Sequence, residues 1–198
     1  MTNGVSHDGG RRSRWRIAGW GAAVALILLP LVAMRFTSEV KWTASDFVFA
    51  IVMFGSVGIG LELAARTKNR AFTMAVAIAL LASFLQIWFT GAVGIIGNES
   101  EDSNLLFLGV ILVALAGSAI ALFRPAGMAV AMIVAAVAQA AVPLVASLIG
   151  DSSIEAIWAR EVIVLTIAFT AMWLASARLF RTAARNAASS SISGESIA

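Results

Sequence analysis

Six long apolar runs, separated by short polar segments, follow one another along the chain. Each is close to the length of about 20 residues that an α-helix needs to cross the hydrocarbon core of a bilayer. The pattern predicts transmembrane helices over residues 17–34, 46–65, 71–91, 105–123, 127–149 and 159–180. The predicted fold is therefore all-α, a polytopic membrane bundle of six transmembrane helices within residues 17–181.

The two ends of the chain are polar. Residues 1–16 form a basic arm, and residues 182–198, rich in Ser and Ala, are predicted to be a disordered tail. A basic segment before an apolar run is also typical of a secretory signal peptide. The first run is too long for one, however, and neither a small-residue cleavage pattern nor a soluble segment follows it. We therefore interpret it as the first transmembrane helix.

Composition supports a membrane protein. The 198 residues are 60% hydrophobic and 13% charged, whereas an ordinary soluble domain is about 45–50% apolar and about 25% charged. The excess of basic over acidic residues could indicate nucleic-acid binding, but the basic residues lie at the ends of apolar runs rather than on one face. We therefore predict the lipid bilayer, and no nucleic acid, as a partner.

The basic residues alternate between two sides of the predicted membrane. One side carries Arg35, Lys41 and Arg160. The other carries Arg11, Arg12, Arg14, Arg16, Arg66, Lys68, Arg70, Arg124, Arg178, Arg181 and Arg185. Because Lys and Arg are enriched in cytoplasmic segments, both termini are predicted to be cytoplasmic.

Polar side chains inside the runs are the candidates for a site, because burying them in a membrane is costly. Glu62 lies one turn before Arg66, so it either pairs with that snorkelling arginine or forms a proton or cation site beside Gly58. Gln86 and Gln139 are predicted to join helices as hydrogen-bonding glue, with a role in a transport path as the alternative. The stripe of Thr166, Thr170 and Trp173 on the sixth run is predicted to be ordinary packing.

The segment GAVGIIG at the end of the third run contains three glycines, Gly91, Gly94 and Gly97. Two interpretations are open. In one, the helix breaks there and lines a small extracellular cavity with the loop that follows. In the other, the segment is a flexible helix end.

The sequence lacks the residues that several kinds of site require. The only histidine, His7, lies in the basic arm, and the chain has no cysteine, so neither a metal site nor a cofactor is predicted. No phosphate-binding glycine loop, nucleophile elbow or zinc-protease motif is present. We predict no catalytic residue and no enzymatic activity.

Three segments resemble a family of uncharacterised small bacterial six-helix integral membrane proteins. They are DFVFA at the start of the second run, WFTGAVGIIGNE at the end of the third, and RPAGMA between the fourth and fifth. The resemblance runs from about Trp42 to Met128. It implies a bacterial origin and six spans, and it implies no catalytic or binding residues.

Two functional hypotheses follow. The first is a non-enzymatic interaction or structural membrane protein that binds lipid, a second copy of the chain or another membrane protein through small-residue helix faces. The alternative is a small carrier or channel that uses Glu62, Gln86, Gln139 and the glycine-rich segment.

The even-numbered runs begin at nearly equal intervals along the chain, which suggests three duplicated helical hairpins. Any six-helix protein with basic inner loops shows part of this pattern.

Overall fold

The computed structural model describes residues 8–92, 94–97, 102–149 and 153–195. These residues are almost entirely helical, and no strand occurs among them. Six of the helices are long and apolar enough to span a membrane, which confirms the predicted fold class. They are α1 (Asp8–Ala33), α2 (Ala44–Arg66), α3 (Arg70–Ala92), α4 (Leu105–Ile120), α5 (Pro125–Ile149) and α7 (Arg160–Glu195), with the one-turn helix α6 (Ile154–Ile157) between the last two.

The end of α7 corrects the predicted tail. Residues 182–195, expected to be disordered, continue α7 without a break. Alanine has the highest intrinsic helix propensity, and neither proline nor glycine interrupts this stretch before Gly194. The 36 residues of α7 correspond to about 54 Å of helix, which exceeds the hydrocarbon core of about 30 Å. The helix therefore extends well beyond its apolar part.

The chain divides into two units, Met1–Gly60 and Leu61–Ala198. In the first unit the indole of Trp20 lies against α2, where a Cβ added at Gly58 would be 2.8 Å from the ring. The small-residue face of α2 thus admits a close neighbour, as its glycines predict. Thr43 and Asp46 cap this helix, because the Asp46 carboxylate accepts the Thr43 backbone N–H at 2.7 Å.

In the second unit four helices form a ring. Helix α3 packs against α4 and α7, and α5 packs against the same two helices. The side chains that face the interior of this ring are apolar over most of its length, with Phe107, Trp173 and Phe180 as the largest. The ring is therefore a four-helix bundle with one continuous core.

Three contacts between neighbouring helices define how the helices align. Helices α3 and α7 are antiparallel, with the rings of Phe72 and Phe180 5.4 Å apart and those of Phe89 and Phe169 6.4 Å apart. Helices α4 and α5 approach closely at Gly117, where an added Cβ would lie 2.7 Å from the Cβ of Ala131. These contacts place side chains from different helices at known levels along the bundle.

Candidate functional site

A buried polar cluster lies in the interior of the four-helix bundle. Among the described residues, seven of its side-chain nitrogen and oxygen atoms are buried and have no hydrogen-bond partner. Both glutamines predicted from the sequence belong to it and are fully buried. The members are Gln86 and Thr90 on α3, Gln139 on α5, and Thr166, Thr170 and Trp173 on α7.

The contacts of α4 place the two glutamines at one level, meaning the same height along the axis of the bundle. The amide nitrogen of Gln86 donates to the carbonyl oxygen of Phe107. Gln139 lies eight residues after Ala131, and Gly109 lies eight residues before Gly117, which touches Ala131. Gln139 is therefore level with Gly109, two residues or about 3 Å from the carbonyl that Gln86 contacts.

The α7 members lie at the same level. Gln86 comes fourteen residues after Phe72 and three before Phe89. Since Phe72 and Phe89 pair with residues 180 and 169 of the antiparallel α7, Gln86 is level with residues 166–172 of that helix. This stretch contains Thr166 and Thr170, and Trp173 follows directly. Three helices thus contribute polar groups to one part of the interior.

The threonine hydroxyls of the cluster differ from other hydroxyls in the same bundle. A helical Ser or Thr usually donates to the carbonyl four residues earlier. Ser83, Ser118 and Ser147 do so, at 2.9, 2.7 and 2.8 Å. The hydroxyls of Thr90, Thr166 and Thr170 have no such bond, although they are equally helical. These three groups are therefore available to a ligand.

A proline adds one more polar group to this level. Pro143 is buried in α5, and proline has no backbone N–H. The carbonyl oxygen of Gln139, four residues earlier, consequently lacks the donor that every other position of a regular helix would supply. Gln139 thus combines two unpartnered side-chain atoms with a main-chain acceptor released from the helix ladder.

The glycine-rich segment does not join the cluster. Helix α3 ends at Ala92, and the N–H of Gly94 donates back to the carbonyl of Phe89 at 3.0 Å. Gly94 and Gly97 adopt positive φ angles of 77° and 65°, which only glycine accepts readily. Gly91 lies within α3, and nothing is within 4 Å of a Cβ added there. The chain does break at this segment, as one of the two interpretations expected.

Asn104 holds the broken segment in place. Its side-chain oxygen accepts the backbone N–H groups of Ile95 and Ile96, both at 2.8 Å, and its amide donates to the Ile96 carbonyl at 3.1 Å. Asn104 and both isoleucines are buried. The described part of GAVGIIG is therefore a packed turn rather than a flexible helix end. The loop residues 98–101, expected beside it, lie outside the described residues.

Glu62 lies at the opposite end of the bundle. It is half-buried on α2, two residues before Ala64, whose carbonyl accepts the hydroxyl of Thr73 at 3.2 Å. Gln86 is thirteen residues further along α3 than Thr73, which corresponds to about 20 Å. The structure therefore brings Gln86 and Gln139 together and leaves Glu62 apart from them.

Sequence reasoning treated the α7 stripe as packing and so missed three members of the cluster. The signal was present, since Thr166, Thr170 and Trp173 are spaced by four and three residues on one helix face. Position alone could not reveal that their polar atoms have no partners. The burial of their polar atoms at the level of two glutamines is the observation that changes their interpretation.

Fold and cluster together define a class, a polytopic all-α membrane protein with a buried uncharged polar cluster inside a four-helix bundle. Comparisons with protein-family models, curated proteins and solved structures give no match for this chain. The resemblance of residues 42–128 to a bacterial membrane family stays a prediction.

Proposed function

We propose that this protein is a small carrier or channel that takes a polar solute through the interior of the bundle formed by α3, α4, α5 and α7. The supporting observation is the buried polar cluster, with its seven unpartnered atoms among the described residues. Each buried polar group without a hydrogen bond costs about 1–3 kcal/mol. A bundle that served only as a scaffold would be more stable with apolar side chains at these positions. Hydrogen bonds to a solute offset this cost.

The depth of the cluster supports the same proposal. Gln139 lies ten residues before the end of α5, and Thr170 lies ten residues after the start of α7. Both are therefore about 15 Å from the same end of the bundle, half of a hydrocarbon core of about 30 Å. Solute sites of membrane carriers typically lie near this midplane. The amide, hydroxyl and indole groups do not titrate near neutral pH, and we assign no chemical step to them.

An interaction or structural role is the second candidate. Helix α1 supports it, since large apolar side chains such as Ile17, Leu29 and Val32 are exposed along it. In a membrane such a surface contacts either lipid or another protein, including a second copy of the chain. This role does not account for the unpartnered groups inside the bundle, so we place it second.

We further propose that the protein lies in a bacterial inner membrane with both termini in the cytoplasm. The basic residues of the second unit support this, because the turn of Arg66, Lys68 and Arg70 adjoins the part of α7 that carries Arg181 and Arg185. There the amide of Asn69 donates to the Ala183 carbonyl at 3.2 Å.

The proposed orientation predicts how a single cysteine at Ser189 reacts with a membrane-impermeant thiol reagent. We expect it to be labelled only after the cells are opened. Labelling in intact cells would contradict a cytoplasmic C-terminus.

The carrier proposal predicts that the buried polar cluster opens transiently to water. The natural chain has no cysteine, so Thr166→Cys introduces a single reporter thiol. Thiols react as thiolates, which form only where water can reach the thiol. We expect methyl methanethiosulfonate to modify Thr166→Cys at least about tenfold faster than a buried thiol outside the bundle, since such a thiol meets neither water nor the reagent. Mass spectrometry of the full-length protein in nanodiscs measures both rates.

Ala50→Cys is the control. Ala50 is buried on α2, which is not one of the four helices that enclose the proposed solute path. Equal and slow modification at the two positions would contradict a solute path and would favour the interaction role.

A further inference from the structure

We propose that the solute bound at the buried polar cluster is uncharged and carries both hydrogen-bond donors and acceptors, as small amides, ureas and polyols do. This inference rests on the proposed function and adds the chemical class of the solute. Three features of the bundle carry it: the balance of donors and acceptors in the cluster, the absence of charge near it, and the fixed orientation of Gln86.

The unpartnered groups include donors and acceptors in balanced numbers. The side-chain oxygens of Gln86 and Gln139 accept, whereas the amide nitrogen of Gln139 and the indole nitrogen of Trp173 donate. The three threonine hydroxyls do either. A solute with acceptors only would leave the glutamine oxygens unpaired, and one with donors only would leave the indole and amide N–H groups unpaired. A solute that has both kinds of group satisfies the whole set.

The four helices carry no charge at this depth. Helix α4 and helix α5 contain no Asp, Glu, Lys or Arg. On α3 the only charged residue is Arg70 at its start, and on α7 the stretch between Glu161 and Arg178 has none. Glu62 is about 20 Å away along the bundle. An ion at the cluster would be buried without a countercharge, which is far more costly than burying an uncharged polar group.

Gln86 has a fixed orientation. Its amide nitrogen donates to the carbonyl of Phe107, so its side-chain oxygen is the atom left for a ligand. The main-chain carbonyl of Gln139, released by Pro143, adds a second acceptor at the same level. Gln86 on α3 and the main-chain carbonyl of Gln139 on α5 therefore both select a donor group of the solute. The indole of Trp173 selects an acceptor.

Solute uptake by proteoliposomes tests the inference. The full-length protein is reconstituted, and stopped-flow light scattering follows the entry of urea, acetamide, glycerol or sodium chloride. We expect at least one of the three uncharged probes to enter faster than into protein-free liposomes, and sodium chloride to enter no faster. In Gln139→Met, which keeps the side-chain length but removes both polar atoms, the protein-dependent uptake should fall about tenfold, the equivalent of one hydrogen bond.

Two further variants make the result specific. Leu148→Met places the same residue on an exposed face of α5 and should leave the uptake unchanged. Thr166→Val removes one hydroxyl of the cluster with little change in shape, and it should also slow the uptake. It replaces Gln139→Met as the test variant if Gln139→Met does not fold.

The outcomes separate this inference from the proposed function. Entry of sodium chloride that Gln139→Met abolishes would overturn the uncharged class and leave the carrier role standing. Uptake of an uncharged probe that neither Gln139→Met nor Thr166→Val slows would overturn the cluster as its site. If no uncharged probe enters but Thr166→Cys is reactive, the class is wrong and water still reaches the cluster. If Thr166→Cys is also unreactive, the proposed function fails as well.

Discussion

Replacing Asn104 with alanine is expected to lower the free energy of unfolding of the second unit by about 3–5 kcal/mol. One side chain satisfies the backbone N–H groups of Ile95 and Ile96 and the carbonyl of Ile96. All three residues are buried, so water cannot replace the lost bonds. Leaving each buried backbone group unpaired costs about 1–3 kcal/mol. The turn between α3 and α4 should therefore lose its packed conformation.

Unfolding of the purified protein in mild detergent, by heat or by titration with a denaturing detergent, measures this loss. Asn69→Ala is the control, because Asn69 caps α3 through the Phe72 N–H at 3.2 Å and donates to the Ala183 carbonyl at 3.2 Å but is only half-buried. Since water can replace part of these two bonds, their loss should cost about 1–2 kcal/mol. Equal destabilisation by the two variants would show that the Asn104 bonds do not hold the turn.

Replacing Gln139 with methionine is expected to raise the free energy of unfolding by about 1–3 kcal/mol. Both polar side-chain atoms of Gln139 are buried and have no partner among the described residues. Methionine fills a similar volume without polar atoms, so the folded state no longer bears the cost of burying an unpaired amide. The same unfolding experiment measures the gain, and the uptake measurement on the same variant, reconstituted in proteoliposomes, should show the fall of about tenfold in solute entry.

This result would decide between the two interpretations of Gln139. As hydrogen-bonding glue between helices, the residue would stabilise the fold, and its replacement would lower stability. Gln86→Met is the matched comparison, because Gln86 does bond across the bundle to the Phe107 carbonyl. We expect it to gain less stability than Gln139→Met or to lose some. A destabilised Gln139→Met protein would show a partner for Gln139 and would argue against a solute there.

A variant that is more stable and less active is the signature of a site whose residues were retained for function rather than for folding. The contrast with Asn104 is informative, since that residue is equally buried and fully bonded. Within one bundle, a satisfied polar side chain stabilises a turn, and an unsatisfied one is available to a ligand. Burial by itself does not distinguish the two.

The helices that the sequence predicts agree closely with those in the structure. The predicted spans 46–65 and 71–91 become Ala44–Arg66 and Arg70–Ala92, and 127–149 becomes Pro125–Ile149. The reason is local, because a transmembrane helix needs only a run of apolar residues of the right length. The extension of α7 to Glu195 was missed, since a polar Ala- and Ser-rich segment reads as disordered whether or not it continues a helix.

The buried faces could not be predicted in the same way. Lipid is as apolar as the core, so the spans are hydrophobic all round and carry no periodic stripe that marks the interior. Only the contacts among α3, α4, α5 and α7 decide that Gln86 and Gln139 lie at one level of the bundle and that Glu62 does not. Likewise, Gly94 and Gly97 signal a break in the chain, but only the position of Asn104 turns that break into a packed loop.

The six helices, their apolar character and the polar residues available for a site follow from the sequence alone. Which of those residues lie at one level of the interior, and which have partners, follows from the packing of the helices. Hydrophobicity is a property of each segment, whereas a hydrogen bond depends on the distance between atoms of segments far apart in the chain. The buried polar cluster exists only through that second kind of information.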